Sequence, residues 1–473
     1  MNVVGTHRWV HQDSVVFPAV QRDLTLPLES EERGPNFLLL YRLLPNGILE
    51  LPRSYPVPWK IPSPPPEVRI QGRAGTLPRT YRSKVVPRAR QTPEVFSHFS
   101  EEGVVSLACG YGKTVMTLHR LVAGRKLPAL VVVHTETLLA QWREEILTHT
   151  DIRPDEIGLL QGSTIDIEGK PITLAMLNSV ALKEYPEWVY SHFRRVVFDE
   201  VHKCGAEKLG MAVSKFPGER FGLSATWERK DGLHAVYLNH IGPVLYEDVR
   251  DELTPLLYMV PTGVRMAERR FGRMKATIVK ALLVNRLSQH EGRNRLILRY
   301  VQQALDVGRT ILVLGERREH LQWLYDNTEE PAKGLLMGIK ATSKKRKAEA
   351  TAERLRVTKE SRVMYAIPLV ADTGFSRRDL DTVIILFPFS DPGRLRQTIG
   401  RALRELHGKK TPKVLVMVDD IEVPKEPKRR SGVFGYQRQE EEEGPRISSW
   451  SSRILELEAS AKALGYDVRW MRG

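Results

Sequence analysis

The stretch Leu107-Ala108-Cys109-Gly110-Tyr111-Gly112-Lys113-Thr114 decides how the first half of the chain must fold. It lies between a short apolar run, 104–107, and a helical pattern that starts at Val115. Gly110 and Gly112 let the backbone wrap so that successive N–H groups point inward, and the N-terminus of the following helix adds partial positive charge. This strand–loop–helix order predicts a phosphate cradle. The alternative is an ordinary glycine turn ahead of a charged helix.

Two side chains follow the glycines with the chemistry that a bound triphosphate needs. Lys113 can reach the β- and γ-phosphates, and the Thr114 hydroxyl can be a ligand of Mg²⁺. The first glycine of the general phosphate-loop pattern is absent, because Leu107 occupies its position. The loop alone therefore favours a nucleotide site without proving one.

A pair of carboxylates strengthens that interpretation. Asp199 and Glu200 follow directly on the apolar run 194–198, which places them at the carboxyl end of a parallel strand. Ligands of open α/β sheets bind at that end. We expect Asp199 to hold Mg²⁺ and Glu200 to polarise the attacking water. A surface acidic pair is the alternative, but it leaves unexplained why a buried strand would deliver the two residues.

Short β-branched runs alternate with helical patterns from residue 100 onward, which indicates βαβ units and parallel sheets with helices on both faces. We therefore predict an α/β fold with two tandem parallel-sheet domains. Seven prolines within 52–66 predict an extended linker, and the charge runs 428–430 and 440–443 predict a flexible loop before a helix. The predicted parts are a small β-rich N-terminal domain ending in that linker (1–66), two α/β domains (67–250 and 251–424) and a C-terminal extension (425–473).

Charge and composition restrict the class of partner. The 473 residues contain 72 Lys and Arg against 57 Asp and Glu, a net charge of +15 that favours a polyanion. Two cysteines are too few for a disulfide scaffold or an all-cysteine zinc site. No apolar run approaches the roughly 20 residues that span a bilayer. We expect a protein of a reducing compartment, the cytoplasm.

A third motif carries positive charge in the second α/β domain. Gln397, Arg401 and Arg404 have i, i+4 and i+7 spacing, so a helix would present them on one face. Two guanidiniums presented together match the oxygens of a transferring phosphate, as arginine fingers do. A solvated basic helix face is the common alternative.

The motifs in this order resemble those of superfamily 2 helicases with a DExH box. The matching stretches are 107–114 (motif I), 131–142 (Ia), 199–202 (II), 224–226 (III), 312–320 (IV) and 397–404 (VI). The sequence around the Ser224-Ala225-Thr226 triplet is similar to the XPB-like group and to compact phage helicases that remodel branched DNA. The resemblance implies two RecA-like domains, ATP and Mg²⁺ as cofactors, and a monomer that binds single-stranded or branched DNA independently of sequence.

The resemblance also implies roles for individual residues. Gln91, with Arg88 before it, would read the adenine. The residues that would couple hydrolysis to movement are His202, Ser224 and Thr226, and those that would contact nucleic acid are Thr135, Arg317 and Thr373. The last of these lies in a stretch, 371–377, that departs from the usual motif V pattern because Thr373 and Ser376 occupy acidic positions.

Three alternatives to a DNA helicase remain open at this point. A DExH-type RNA helicase shares the same motifs, so RNA is a possible partner. A restriction-type translocase would need a nuclease module, and residues 1–80 contain no convincing carboxylate-and-lysine constellation. A non-catalytic nucleic-acid-binding scaffold is disfavoured because Lys113, Asp199, Glu200 and Arg401 are all present.

Overall fold

The computed structural model describes most of the chain, which divides into two compact units, Met1–Arg250 and Asp251–Gly473. The described residues are 2–28, 36–60, 64–69, 74–108, 110–229, 231–248, 255–267, 276–337, 349, 353, 356–367, 377, 379–388, 410–422, 449–463 and 465–471.

The first unit begins with a small β-rich part around its own apolar core. Its elements are β1 (Asn2–Val4), β2 (His7–His11), α1 (Phe17–Asp23), β3 (Thr25–Leu28), β4 (Asn36–Leu39), β5 (Arg42–Leu43), β6 (Ile48–Pro52) and β7 (Val68–Arg69). Five strands form one sheet in the order β5-β6-β2-β1-β7, and β3 pairs with β4 separately. Val10, Val20 and Leu49 are fully buried between them. The chain returns from the proline-rich stretch to this sheet, since β7 pairs with β1.

Two buried arginines tie this part to the rest of the unit. Arg220 is completely buried and donates to the carbonyl oxygen of Thr6 at 2.8 Å and to that of His240 at 3.0 Å. Arg53 donates to the carbonyls of Pro217 and Gly218, each at 2.9 Å. Buried guanidiniums need such acceptors, so these contacts fix the N-terminal sheet against the larger one.

The larger sheet of the first unit is predominantly parallel. Its strands are β8 (Gly103–Leu107), β9 (Ala129–Val133), β10 (Ile157–Gln161), β11 (Thr164–Asp166), β12 (Ile172–Met176), β13 (Arg195–Asp199), β14 (Glu219–Ser224) and β15 (Val244–Asp248). Their order is β11-β10-β12-β9-β13-β14-β8-β15, and the β10–β11 pair is antiparallel. The helices are α2 (Pro93–His98), α3 (Lys113–Ala123), α4 (Glu136–His149), α5 (Leu177–Leu182), α6 (Glu187–Ser191), α7 (Glu207–Ser214) and α8 (His234–Ile241).

Successive strand residues enter opposite apolar cores, which explains why helices cover both faces. Leu130 and Val196 belong to one core, and Val131 and Val197 belong to the other. This period of two is the geometry of a strand. Continuous apolar runs therefore form strands buried on both sides.

The second unit contains one parallel sheet with its own core. Its strands are β16 (Leu256–Ala267), β17 (Ile311–Leu314), β18 (Lys333–Leu336), β19 (Val363–Ala366), β20 (Thr382–Ile385), β21 (Lys413–Glu422) and β22 (Asp467–Trp470). The order is β18-β19-β17-β20-β21-β16-β22. Helices are α9 (Ala276–Ser288), α10 (Glu291–Asp306), α11 (Arg318–Asp326) and α12 (Ser449–Ala463). Two tandem parallel-sheet α/β units confirm the predicted fold class.

Candidate functional site

The chemistry-bearing side chains of the first unit follow strands that are neighbours in the sheet. The order β9-β13-β14-β8 is parallel throughout, so the carboxyl ends of these four strands lie at one edge. His134, Asp199, Ser224 and Ala108 stand at or directly beyond those ends. The topology thereby brings the phosphate loop, the DExH box and the Ser-Ala-Thr triplet to a common edge, where ligands of open α/β sheets bind.

The phosphate loop has the backbone conformation that its glycines predict. Gly110 and Gly112 have φ of +89° and +95°, a region that side chains with a Cβ rarely adopt. Gly112 caps α3, so the first residues of that helix are Lys113 and Thr114. The Lys113 ammonium donates to the carbonyls of Leu107 at 2.7 Å and Ala108 at 3.3 Å. The Lys113 ammonium therefore lies over the phosphate loop, next to the N-terminus of α3.

A preceding segment holds the loop in this shape. The Gln91 amide donates to the carbonyl of Tyr111 at 2.8 Å and accepts from the backbone N–H of Arg88 at 3.0 Å. The Arg88 guanidinium donates to the carbonyl of Gly110 at 3.4 Å. A Cβ on Gly112 would lie 2.4 Å from the Gln91 nitrogen. Gln91 is 4% exposed and both its amide atoms bind backbone, so the geometry gives it a loop-shaping role, while adenine contact stays a prediction.

Arg90 and Tyr111 are two supports of the loop that the sequence analysis missed. The Arg90 guanidinium lies 4.6 Å from the centre of the Tyr111 ring and 3.3 Å from a carboxylate oxygen of Asp248 on β15. The Tyr111 hydroxyl donates to the carbonyl of Arg90 at 2.9 Å. An arginine and a tyrosine at i and i+21 have no periodic signature, so only the three-dimensional contact identifies them.

The first DExH carboxylate is held by two hydrogen bonds. Asp199 accepts from the indole N–H of Trp142 at 2.7 Å and from the backbone N–H of Glu200 at 3.0 Å. Burial and the neighbouring Glu200 charge raise the pKa of Asp199 to about 6, although Trp142 and the Lys113 ammonium oppose this. Glu200 has φ of +52°, a left-handed conformation uncommon outside glycine. The chain thus turns sharply between the two carboxylates.

The DExH histidine is joined to the Ser-Ala-Thr triplet. His202 Nδ1 lies 3.0 Å from Ser224 Oγ, and that hydroxyl donates to the Thr226 carbonyl at 2.6 Å. Burial lowers the pKa of His202 to about 4, so the ring is neutral near pH 7. Arg229 donates to the His202 carbonyl at 2.7 Å. The structure brings the three predicted coupling residues into one hydrogen-bonded chain.

Thr135 and Arg317, which the sequence analysis assigned to nucleic acid, are both engaged within the protein. Thr135 caps α4, its hydroxyl accepting from the Leu138 N–H at 3.3 Å. In the second unit, Arg317 donates to the Ala281 carbonyl at 3.1 Å and binds the Asn285 side chain. Their predicted contacts stay predictions. The remaining predicted residues lie outside the described part of the chain: Thr373, Gln397, Arg401 and Arg404.

The donor set suits a hard cation that retains water and phosphate oxygens. Within the described ranges, no group of three or more His, Cys, Asp or Glu side chains is arranged to enclose a metal ion. Mg²⁺ at nucleotide sites commonly uses one or two protein oxygens and takes the others from phosphates and water. One carboxylate, Asp199, and one hydroxyl, Thr114, fit that requirement.

Among the described helices, none is long and apolar enough to cross a bilayer.

Comparisons with known proteins show similarity to a restriction-enzyme family and to helicases. The family described as "Type III restriction enzyme, res subunit" matches residues 77–229, the region that holds this edge of the first sheet. A putative ATP-dependent RNA helicase of Acanthamoeba polyphaga mimivirus is 25% identical over 379 residues, 76% of this chain and 69% of that protein.

Two further relatives are named for helicase or translocase activity. The DNA 3'-5' translocase XPB2 of Sulfurisphaera tokodaii is 32% identical over 174 residues, 36% of this chain and 38% of that protein. A probable helicase of Escherichia phage T5 is 20% identical over 335 residues, 68% of this chain and 69% of that protein. The chain spans less than two fifths of the length of the archaeal relative.

Proposed function

We propose that this chain, which belongs to the superfamily 2 helicases and lies close to their XPB-like and phage members, is an ATP-dependent DNA helicase or translocase. One observation carries the proposal. The Lys113 loop and the Asp199–Glu200 pair occupy one edge of a parallel sheet, and the Lys113 ammonium acts electrostatically on Asp199. A lysine, a helix N-terminus and paired carboxylates at one edge are the requirements of triphosphate hydrolysis.

Each residue of the first unit has a distinct part in this proposal. Lys113 and the N–H groups that begin α3 neutralise the β- and γ-phosphates. Asp199 and Thr114 would hold Mg²⁺, which supplies charge neutralisation when bound. Glu200, turned by its left-handed backbone, orients the attacking water. Gln91 and Arg88 keep the loop in its wrapped conformation.

In our proposal, two arginines of the second unit supply further positive charge to the transferring phosphate. Arg401 and Arg404 would stabilise the negative charge that develops on the transferring phosphate, and Gln397 is the third proposed residue of this motif. Their spacing in the sequence and the membership of the family support this assignment. Arginine fingers typically accelerate phosphoryl transfer by about 10³–10⁵-fold.

DNA is the partner that we propose, bound through its backbone. The net charge of +15 favours a polyanion, and relatives named for DNA translocation and DNA helicase activity support DNA. Thr135, Arg317 and Thr373 are the proposed contacts. Backbone contacts make binding independent of sequence and sensitive to salt. We propose that the protein is a monomer, as the resemblance to helicases of this superfamily implies.

RNA is the second candidate, and the name of the mimivirus relative favours it. ATPase assays with single-stranded DNA, forked DNA and RNA as stimulants decide between the two. We expect stimulation by DNA, above all by branched DNA, and stimulation by RNA alone would refute the DNA assignment. Lys113→Ala should reduce turnover by at least about 10²-fold under every condition, because the phosphates lose their cationic ligand. Unchanged turnover in that variant would favour a non-catalytic scaffold.

A further inference from the structure

Trp142 is a buried tryptophan whose indole contacts a carboxylate of the proposed site. Its side chain is 1% exposed, and its indole N–H donates to the Asp199 carboxylate at 2.7 Å. The indole nitrogen can only donate, and a hydrogen bond to a carboxylate in a buried setting is stronger than one between neutral groups. The second Asp199 oxygen accepts from the Glu200 N–H. The two bonds together fix the plane of the carboxylate.

The helix that carries Trp142 begins at a proposed nucleic-acid contact. Thr135 caps α4, and Trp142 follows seven residues later, about 10 Å along the helix axis. The same helix packs against α3, which begins with Lys113, and against β9 and β12. One rigid element therefore has its N-terminus at the edge of the sheet and its indole on the metal-binding carboxylate that we propose.

We propose that Trp142 is a positioning residue that orients Asp199 and transmits nucleic-acid binding at the N-terminus of α4 to the nucleotide site. This inference rests on the proposed function, which makes Asp199 a ligand of Mg²⁺. Binding of a phosphate backbone at Thr135 shifts α4, and the shift changes the Trp142–Asp199 hydrogen bond. Nucleic acid and nucleotide thereby affect each other through one helix, and the coupling is reciprocal.

Packing alone does not explain the choice of side chain. Phenylalanine would fill most of the same apolar space, since Trp142 belongs to a core that already contains Phe96, Phe99 and Phe221. The N–H is what distinguishes tryptophan there. The chain also offers a matched control, because the Trp9 indole donates to the Glu50 carboxylate at 3.3 Å in the N-terminal sheet, away from the site.

The first experiment compares Trp142→Phe with Trp9→Phe in the full chain. We expect Trp142→Phe to raise the Mg²⁺ concentration needed for half-maximal binding of a fluorescent non-hydrolysable ATP analogue by roughly tenfold, as loss of a bond to a charged group implies. The stimulation of ATPase by single-stranded DNA should fall by a similar factor, with the DNA affinity unchanged. Trp9→Phe should alter neither quantity. Wild-type values for Trp142→Phe in both assays would overturn the proposal.

A second measurement follows the wild-type protein, and the variants serve only to assign its signals. Labelling the eight tryptophans with 5-fluorotryptophan gives ¹⁹F signals, and each single variant identifies its own. We expect the Trp142 signal to move on adding oligo(dT) without nucleotide, while the Trp9 signal stays in place. A Trp142 signal that oligo(dT) leaves unmoved would overturn transmission. Failure of the proposed function looks different, since wild-type protein would then show no DNA-stimulated ATPase at all.

Discussion

His202 Nδ1 lies 3.0 Å from Ser224 Oγ, so the loop after β13 is hydrogen-bonded to the end of the neighbouring strand β14. The His202 ring is neutral near pH 7, because burial lowers its pKa to about 4. Ser224 passes the contact on to the Thr226 carbonyl at 2.6 Å. His202 follows the proposed water-orienting Glu200 by two residues. It therefore connects this part of the site to the triplet at 224–226.

Ser224→Ala should separate ATP hydrolysis from strand displacement. The substitution removes the hydroxyl that joins His202 to the triplet but leaves Lys113, Asp199 and Glu200 in place. We expect DNA-stimulated ATPase within about threefold of wild type and unwinding of forked DNA reduced by about tenfold, which corresponds to roughly 1.4 kcal/mol. Ser214→Ala, which removes an exposed hydroxyl bonded only to the helix backbone among the described contacts, is the control. Equal loss of both activities would contradict a coupling role.

Gly112→Ala should disrupt the phosphate loop more than an alanine at another left-handed glycine. The new Cβ would lie 2.4 Å from the Gln91 nitrogen, and φ is +95°. Gly162 has φ of +61° with nothing within 4 Å of an added Cβ, so Gly162→Ala reports the backbone strain alone. We expect affinity for a fluorescent ATP analogue to fall at least tenfold in Gly112→Ala and to stay near wild type in Gly162→Ala. Similar affinities in the two variants would show that the Gln91 contact is unimportant.

The sequence predicted strands of the first parallel sheet closely where apolar runs are continuous. The run 194–198 forms Arg195–Asp199, and the run 104–107 forms Gly103–Leu107. Such runs are unambiguous because β-branched residues buried on both faces leave no polar side to place elsewhere. Because these strands were predicted correctly, the positions of the motif residues directly after their carboxyl ends were predicted as well. The helicase relatives agree with the family resemblance that the motifs carried.

Contacts between distant residues are what the sequence could not supply. β22 pairs with β16 across about 200 residues, a partnership that local periodicity does not encode. The Trp142–Asp199 bond joins residues 57 apart, and the sequence marked Trp142 only as part of a motif. Thr135 has the local signature of a helix N-cap, since an acidic first turn follows it. The sequence analysis assigned Thr135 to nucleic acid through the family resemblance and did not predict the cap.

Arg293→Met should destabilise the second unit strongly. The Arg293 guanidinium and the Asp419 carboxylate are both completely buried and lie 2.8 Å apart. Removing the cation leaves a buried carboxylate uncompensated, which typically costs about 3–5 kcal/mol of unfolding free energy. The control is Arg295→Met, which removes an exposed pair with Glu291 and should cost below about 1 kcal/mol.

Urea denaturation measures the unfolding free energy of both Arg variants. Adding Asp419→Asn to Arg293→Met should restore part of the loss, because the uncompensated charge is then removed while an oxygen remains for the Thr262 hydroxyl. A loss in Arg293→Met no larger than that in Arg295→Met would contradict the importance of the buried pair.

The second unit should lose stability in mild acid because of His320. Burial and the Arg293 charge lower the pKa of His320 to about 3, and its Nε2 lies 2.8 Å from Asn294 Oδ1. In the unfolded protein the His320 ring has a pKa near 6.5. Between pH 6.5 and 3 the ring is therefore protonated in the unfolded protein but neutral in the folded one. The unfolding free energy should therefore fall as pH falls through that window, by about 2 kcal/mol between pH 7 and 5. His320→Gln keeps a donor for Asn294 and should remove that part of the slope. Urea titrations at pH 7, 6 and 5 give the slopes, and an unaltered slope in His320→Gln would exclude this residue as their cause.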